Sequence, residues 1–159
     1  MKKSLMPKAS VKRLIECQKK YLIDLVLDIE KYPEFVPFCF GAKIYENKNE
    51  GDLTKIIADL TIGKGPFKDT YKSDVVYDRK RDTIFVKNIE GPLNHLSNNW
   101  IFIDKENGIT EVTFDIDFEI KNRFLNSLMV VSFQYGLEKI ADAFQKRAEQ
   151  LFNSSKNKI

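Results

Sequence analysis

Two cysteines, one histidine and one tryptophan in 159 residues leave few of the groups by which a chemistry is usually read from sequence. Cys17 and Cys39 lie far from each other and from His95, so neither a zinc-ligand spacing nor a disulfide framework is legible, and both thiols are expected to be small core side chains. There is no G-x-S-x-G, no metal-ligand pair and no phosphate-cradling glycine loop; Gly63-Lys64-Gly65 reads as a turn. No stretch approaches the roughly 18 to 20 apolar residues of a membrane-spanning helix, and Met1-Lys2-Lys3-Ser4-Leu5-Met6-Pro7 has no apolar run after its lysines, so a soluble cytoplasmic protein is expected. A dominant charge is also lacking. The 26 Lys and Arg against 23 Asp and Glu give a net charge of +3, too little for a protein that coats nucleic acid.

What is present is a core. Hydrophobic residues make up 43% of the chain, with twelve Phe and six Tyr, and the length suits one domain, expected over residues 7–152 with a polar tail over 153–159. An opening strand is expected from Ala9 to Cys17. Leu22, Leu25, Val26 and Ile29 recur at helical spacing, predicting a short amphipathic helix that stops before Pro33. Pro33 and Pro37 then permit only a tight helical turn and a corner.

From Ala42 to Ile120 six strands are divided by turn chemistry at 47–52, 63–66, 79–82, Gly91-Pro92 and Asn107-Gly108, the last read as a two-residue hairpin turn. Short connections make the meander antiparallel. Alternation places Val112, Phe114, Ile116, Phe118 and Ile120 on one face of the last strand, and groups Ile56, Ala58, Leu60 and Ile62, then Phe67, Tyr71, Val75 and Tyr77, then Leu96, Trp100 and Phe102. Asp115, Asp117, Glu111 and Glu119 fall on the opposite face as a solvated stripe, not an acid pair for catalysis. After Lys121 a stripe of Val130, Phe133, Leu137, Ile140, Ala141, Phe144, Ala148 and Leu151 predicts a long helix able to span the sheet, with Asp142 and Lys146 paired on its outer side and Gly136 in close approach to the sheet. The fold class is therefore α+β, with one curved antiparallel sheet of six to seven strands around a C-terminal helix.

This order of elements resembles the START-like helix-grip fold of the polyketide cyclase superfamily. The stretch from Tyr21 to Cys39, centred on Tyr32-Pro33-Glu34-Phe35-Val36-Pro37-Phe38, is similar to the opening signature of its coenzyme Q-binding family, which includes the RatA-type ribosome association toxins. Gly91-Pro92-Leu93-Asn94-His95-Leu96, followed by Trp100-Ile101-Phe102, resembles a second family segment, with Leu93 where Phe is frequent. The resemblance implies a non-enzymatic binder of ubiquinone or a related polyprenyl quinone, held as a ligand and not as a cofactor, in support of respiratory electron transport. The tunnel lining is then expected to be Leu60, Phe67, Tyr71, Trp100, Phe102, Phe114, Phe118, Phe133, Leu137 and Phe144, with no catalytic residue and no metal. An apolar rim from Phe124 to Phe133 and at Pro37-Phe38, beside Lys2, Lys3, Lys8, Lys12 and Arg13, would give peripheral contact with the inner membrane. The same resemblance implies an alternative, binding to the large ribosomal subunit so as to block subunit association, with Lys64, Lys68, Lys72, Arg79, Lys80 and Arg81 as the cations available for phosphate.

Overall fold

A computed structural model describes residues 8–91 and 93–152, apart from the side chains of residues 64, 67, 125 and 128–132. Strand β1 (Lys8–Ile15) leads into α1 (Lys19–Leu27), a 3-10 turn (Ile29–Lys31) and the single helical turn α2 (Tyr32–Phe35). Six strands follow, β2 (Cys39–Glu50), β3 (Leu53–Lys64), β4 (Phe67–Asp78), β5 (Thr83–Glu90), β6 (Leu93–Asp104) and β7 (Thr110–Ile120), and then α3 (Arg123–Phe152). All seven strands form one antiparallel sheet in the order β1-β7-β6-β5-β4-β3-β2, so the first strand closes beside the last.

Several boundaries differ from the sequence reading; the opening strand expected over Ala9–Cys17 runs Lys8–Ile15, and the turn expected over 63–66 shortens to Gly65-Pro66. Strands β2 and β3 stay paired out to Glu50 and Leu53, which shortens the turn expected over 47–52 to Gly51-Asp52. The connection at Asn107-Gly108 spans residues 105–109, with the Lys105 N–H donating to the Ile109 carbonyl at 2.8 Å. Asn107 and Gly108 do take the positive φ (61° and 71°) for which their types are suited, but inside a longer loop. The helix stripe ends at Leu27 and Ile29 is buried from the 3-10 turn.

Helix α3 lies over the inner face of the sheet, its Leu137, Ala141, Phe144 and Ala148 sharing one buried cluster with residues of β3 to β7. It packs chiefly along β1, then on β7, α1 and α2, while β2 meets α2 and the 3-10 turn. The sheet curls, as twisted strands do, and brings its inner face around the helix. Asp142 is taken by Arg13 of β1 at 2.6 Å, so it does not make the expected pair with Lys146. A Cβ built on Gly136 meets nothing within 4 Å, so the expected close approach to the sheet is also absent.

Rings hold the two layers together. Trp100 stacks on Phe114 (centroids 4.1 Å apart) and meets the edge of Phe144 at 5.1 Å, while Phe144 also meets Tyr32 at 5.3 Å and Phe35 at 5.2 Å. Such contacts add about 0.5 to 1.5 kcal/mol each beyond the area they bury. The Tyr32 hydroxyl donates to the Val26 carbonyl, fastening the corner to α1. Lys19 spans Asp82 at 2.8 Å and Asp104 at 3.0 Å, joining the start of α1 to two strand connections; these hydrogen bonds, Asp82 first, raise its pKa.

Gly91 has φ 140°, and a Cβ there would lie 2.7 Å from the Tyr71 Cβ and 3.0 Å from its Cα, so the β5–β6 connection rests directly on β4. Gly51 also has positive φ but meets nothing within 4 Å. Gly51→Ala is expected to cost about 1 kcal/mol for backbone conformation alone, and Gly91→Ala about 3 kcal/mol or more because overlap adds to it. Urea denaturation of the two variants checks this, and equal losses would show that Gly91 has no such contact.

Burial raises the pKa of Tyr32 and of Tyr71 well above the usual 10.0, the nearby phenol and the Cys39 thiol adding smaller effects. With folded pKa values raised, the stability these neutral phenols confer is complete below about pH 10 and is lost as pH rises beyond it. Both are expected to form phenolate only as the chain unfolds. Absorbance at 295 nm followed with circular dichroism tests this; ionisation of every tyrosine with the native dichroism retained would refute it.

Candidate functional site

The inner face of the sheet has two unlike ends. At one, Ile56, Val75, Ile84, Trp100, Phe102, Val112 and Phe114 are buried and packed with Leu137, Ala141, Phe144 and Ala148 of α3 and with residues of α1. A cavity of about 20 Å³ remains beside Trp100, between β1, β7 and Phe144, room for about one water. At the other end Leu60, Tyr71, Val86, Asn98, Ile116 and Phe133 are only half buried although strand alternation turns their β-strand members inward, and Ile62 is 37% exposed. An inward position reached by solvent is the mark of a groove.

Register builds this groove. Leu60 of β3 pairs with Tyr71 of β4, Val86 of β5 pairs with Asn98 of β6, and Asn98 pairs with Ile116 of β7. Phe133 of α3 meets Phe118 of β7 edge to face at 4.5 Å and forms the helix-side wall. Beyond Asp69, which is exposed at the far end opposite Ile62, three polar side chains among the described residues lie within the apolar lining. Asn88 is fully engaged, its Nδ2 donating to the Leu93 carbonyl at 3.3 Å and its Oδ1 accepting the Leu96 N–H at 2.9 Å. The Ser73 hydroxyl and Asn98 Oδ1 are buried and have no hydrogen-bond partner among the described residues.

The residues expected to line a tunnel are thus divided. Leu60, Tyr71 and Phe133 stand half buried at the half-open end, with Phe118, itself 5% exposed, against Phe133, whereas Trp100, Phe102, Phe114, Leu137 and Phe144 are packed into the closed end, each 7% exposed or less. The Phe67 side chain lies outside the described residues, as do Lys2, Lys3, the Lys64 side chain and the side chains of 125 and 128–131 in the expected rim. Phe124 is 72% exposed. Ser73 and Asn98 were missed because attention to rings and aliphatics passes over polar types. The signal that reveals them is parity, Ser73 lying between Tyr71 and Val75 and Asn98 between Leu96 and Trp100 on inward positions.

Other chemistry-bearing groups are structurally occupied. His95 Nε2 pairs with Asp117 Oδ1 on the outer face. Burial, and then the charge of Asp117, raises the pKa of Asp115. Cys17 and Cys39 are buried thiols, and burial raises the Cys39 pKa. Among the described residues no cluster of His, Cys, Asp and Glu is arranged to hold a metal ion, and no helix is long and apolar enough to cross a membrane. Five expected surface cations are engaged within the fold, among them Lys72 with Glu90, Lys80 with Asp52 and Arg81 with Asp78. Arg13 is tied to Asp142, and Arg79 donates to Thr54 Oγ1 at 2.6 Å and to the Gly51 carbonyl within the β2–β3 turn. A depression of about 560 Å³ on the outer side of α3 is lined by Asp142, Gln145, Lys146, Glu149 and Gln150 alone, a single polar wall.

The family model for polyketide cyclase / dehydrase and lipid transport matches residues 23–145, from α1 through most of α3. The chain is 32% identical over 142 residues to the ribosome association toxin RatA of Rickettsia prowazekii, covering 87% of this chain and 94% of that one. It is 31% identical over 135 residues to the mitochondrial coenzyme Q-binding protein COQ10 of Dictyostelium discoideum, covering 82% of this chain and 63% of that protein. A START superfamily protein from Mycobacterium smegmatis superposes with a TM-score of 0.77 at 21% identity, over 91% of this chain and 98% of that one, a likeness of fold. With the family match spanning the groove and both of its walls, the chain belongs to the polyketide cyclase / dehydrase and lipid transport family, with the START-like fold.

Proposed function

We propose that residues 7–152 bind a polyprenyl quinone of the ubiquinone type in the inner-face groove and hold it without chemistry, in support of respiratory electron transport. The observation that carries this reading is the half-buried apolar end of a concave sheet face, walled by Phe133 and Phe118, beside a fully packed aromatic floor. Each methylene-sized group taken from water contributes about 0.8 kcal/mol, so the first prenyl units suffice for retention. The cavity beside Trp100 is far too small for a ring, so the ligand occupies the groove end, with Leu60, Tyr71, Phe118 and Phe133 around it and the Trp100 cluster beneath. The similarity to a named coenzyme Q-binding protein adds support. Exposed Phe124, with Lys8 and Lys12, suits uptake from an anionic membrane surface.

A second reading, association with the large ribosomal subunit, is favoured by the likeness to the Rickettsia toxin over nearly its whole length. The outer sheet face offers cations beside rings: Lys68 lies 4.0 Å over Phe40, and Lys43 and Lys72 each lie 5.0 Å over Tyr45. Exposed rings flanked by lysines are a surface on which unpaired bases stack.

Solvent extraction of protein purified from ubiquinone-making cells is expected to release near-stoichiometric quinone, detected by mass spectrometry. Added short-chain ubiquinone should quench the fluorescence of Trp100, the sole tryptophan, in a saturable way. A protein that is empty, is not quenched, and cosediments with ribosomes in a salt-sensitive manner would replace the quinone reading with the ribosomal one.

A further inference from the structure

Two buried polar groups inside an apolar groove call for a reason. An unpaired hydroxyl or amide oxygen removed from water costs about 1 to 3 kcal/mol, and native interiors rarely leave one unmatched. Ser73 is 1% exposed with its hydroxyl unpaired, and Asn98 keeps an unpaired, buried Oδ1. Their neighbour Asn88 shows how this interior treats a polar side chain that the fold itself needs, with both ends bonded to β6 backbone.

Position gives the pair a common target. Ser73 pairs with Asn88 on β5, and Val86, two residues earlier on the same strand, pairs with Asn98 on β6. Ser73 and Asn98 therefore flank β5 two strands apart, roughly 10 Å across the strands and about 7 Å along them, about 12 Å in all between backbones, from which both side chains reach toward one another over the concave face. A six-membered ring with oxygens at opposite ends, each in a hydrogen bond of about 2.8 Å, is of the right size to bridge them on a concave surface. Between and beside them the inward side chains are Leu60, Tyr71, Val86, Leu96 and Ile116, none of them ionised.

Resting on the quinone-binding reading above, we infer that Ser73 and Asn98 form the head-group subsite of the groove, selecting an uncharged ring that carries carbonyl or hydroxyl oxygens. The serine hydroxyl donates to a carbonyl or accepts from a hydroxyl. The asparagine amide does either by turning over, since its O and N ends are nearly isosteric. The subsite therefore takes the oxidised and the reduced ring alike. A carboxylate head, as on a fatty acid, would be desolvated there without a cation and is rejected. An all-hydrocarbon isoprenoid gains nothing from the pair.

The test uses the full chain, Ser73→Ala, Asn98→Leu and the double variant, with decyl-ubiquinone, its reduced quinol, squalene and palmitate as probes, read by Trp100 fluorescence and by equilibrium dialysis. Wild type is expected to bind the quinone and the quinol within threefold of each other and palmitate at least tenfold more weakly. Each single variant should lose about tenfold for quinone and quinol while squalene binding is unchanged. Ser73→Ala should leave Tm equal or higher, because it removes an unpaired hydroxyl; a purely structural serine would lower Tm instead. Quinone binding that is retained by folded single and double variants overturns the head-group subsite while the quinone reading stands. Wild-type protein that binds no quinone overturns both. If Asn98→Leu fails to fold, the Ser73→Ala comparison of quinone with squalene decides alone.

Discussion

Phe144 sits with its ring edge against Trp100, Tyr32 and Phe35 at once, and Trp100 in turn lies face to face with Phe114. That one junction draws together the middle of the sheet, the proline corner and the C-terminal half of α3, three parts far apart in the chain. Everything that distinguishes the groove depends on it. The rings fix the C-terminal half of α3 against β1, β6 and β7, while at the other end Leu60, Tyr71, Val86 and Ile116 stay half buried beside the buried Leu96 and Phe118. Removing a ring from such a junction typically costs about 3 to 5 kcal/mol. The groove is thus the remainder after a well-packed core, and its floor is rigid because it belongs to that core.

Much of the fold was legible in the sequence because it rests on short-range rules. The alternation in β7, the turn chemistry at Arg79 to Asp82 and the single helical turn permitted by Pro33 are local facts, and they appear as expected. The path of α3 was not legible. A helical stripe states which face is buried and says nothing about which strand it is buried against; that was decided by Arg13, Gln134 and Gln145, whose partners stand more than a hundred residues away. The groove was legible only in part. Periodicity collects inward residues without ranking their exposure, so Phe102 and Leu60 looked equivalent, although one is 3% exposed and the other only half buried. The inward polar positions were available in the pattern and are visible as soon as parity, not hydrophobicity, is followed.

The groove joins an aromatic floor to the uncharged side chains of Ser73, Asn88 and Asn98. The groove presents no imidazole, thiolate or paired carboxylate to its contents among the described residues: His95 is spent on Asp117 outside, and burial keeps the Cys39 thiol and the Tyr71 phenol protonated. The family embraces cyclases as well as lipid carriers. What differs among its members is thus expected in the polar furniture of the groove more than in the shell around it.

The open sheet has two free margins, and both are occupied by side chains. On β1, Gln134 donates to the Ser10 carbonyl, Gln145 to the Leu14 carbonyl, and Glu149 accepts the Glu16 N–H just past the strand. On β2, Glu30 accepts the Ile44 N–H, and two register shifts break the regularity of the margin. A foreign strand seeking to extend the sheet would find neither margin free along its length. The guard against edge-to-edge growth thus falls to a few glutamines and glutamates that take no part in the core.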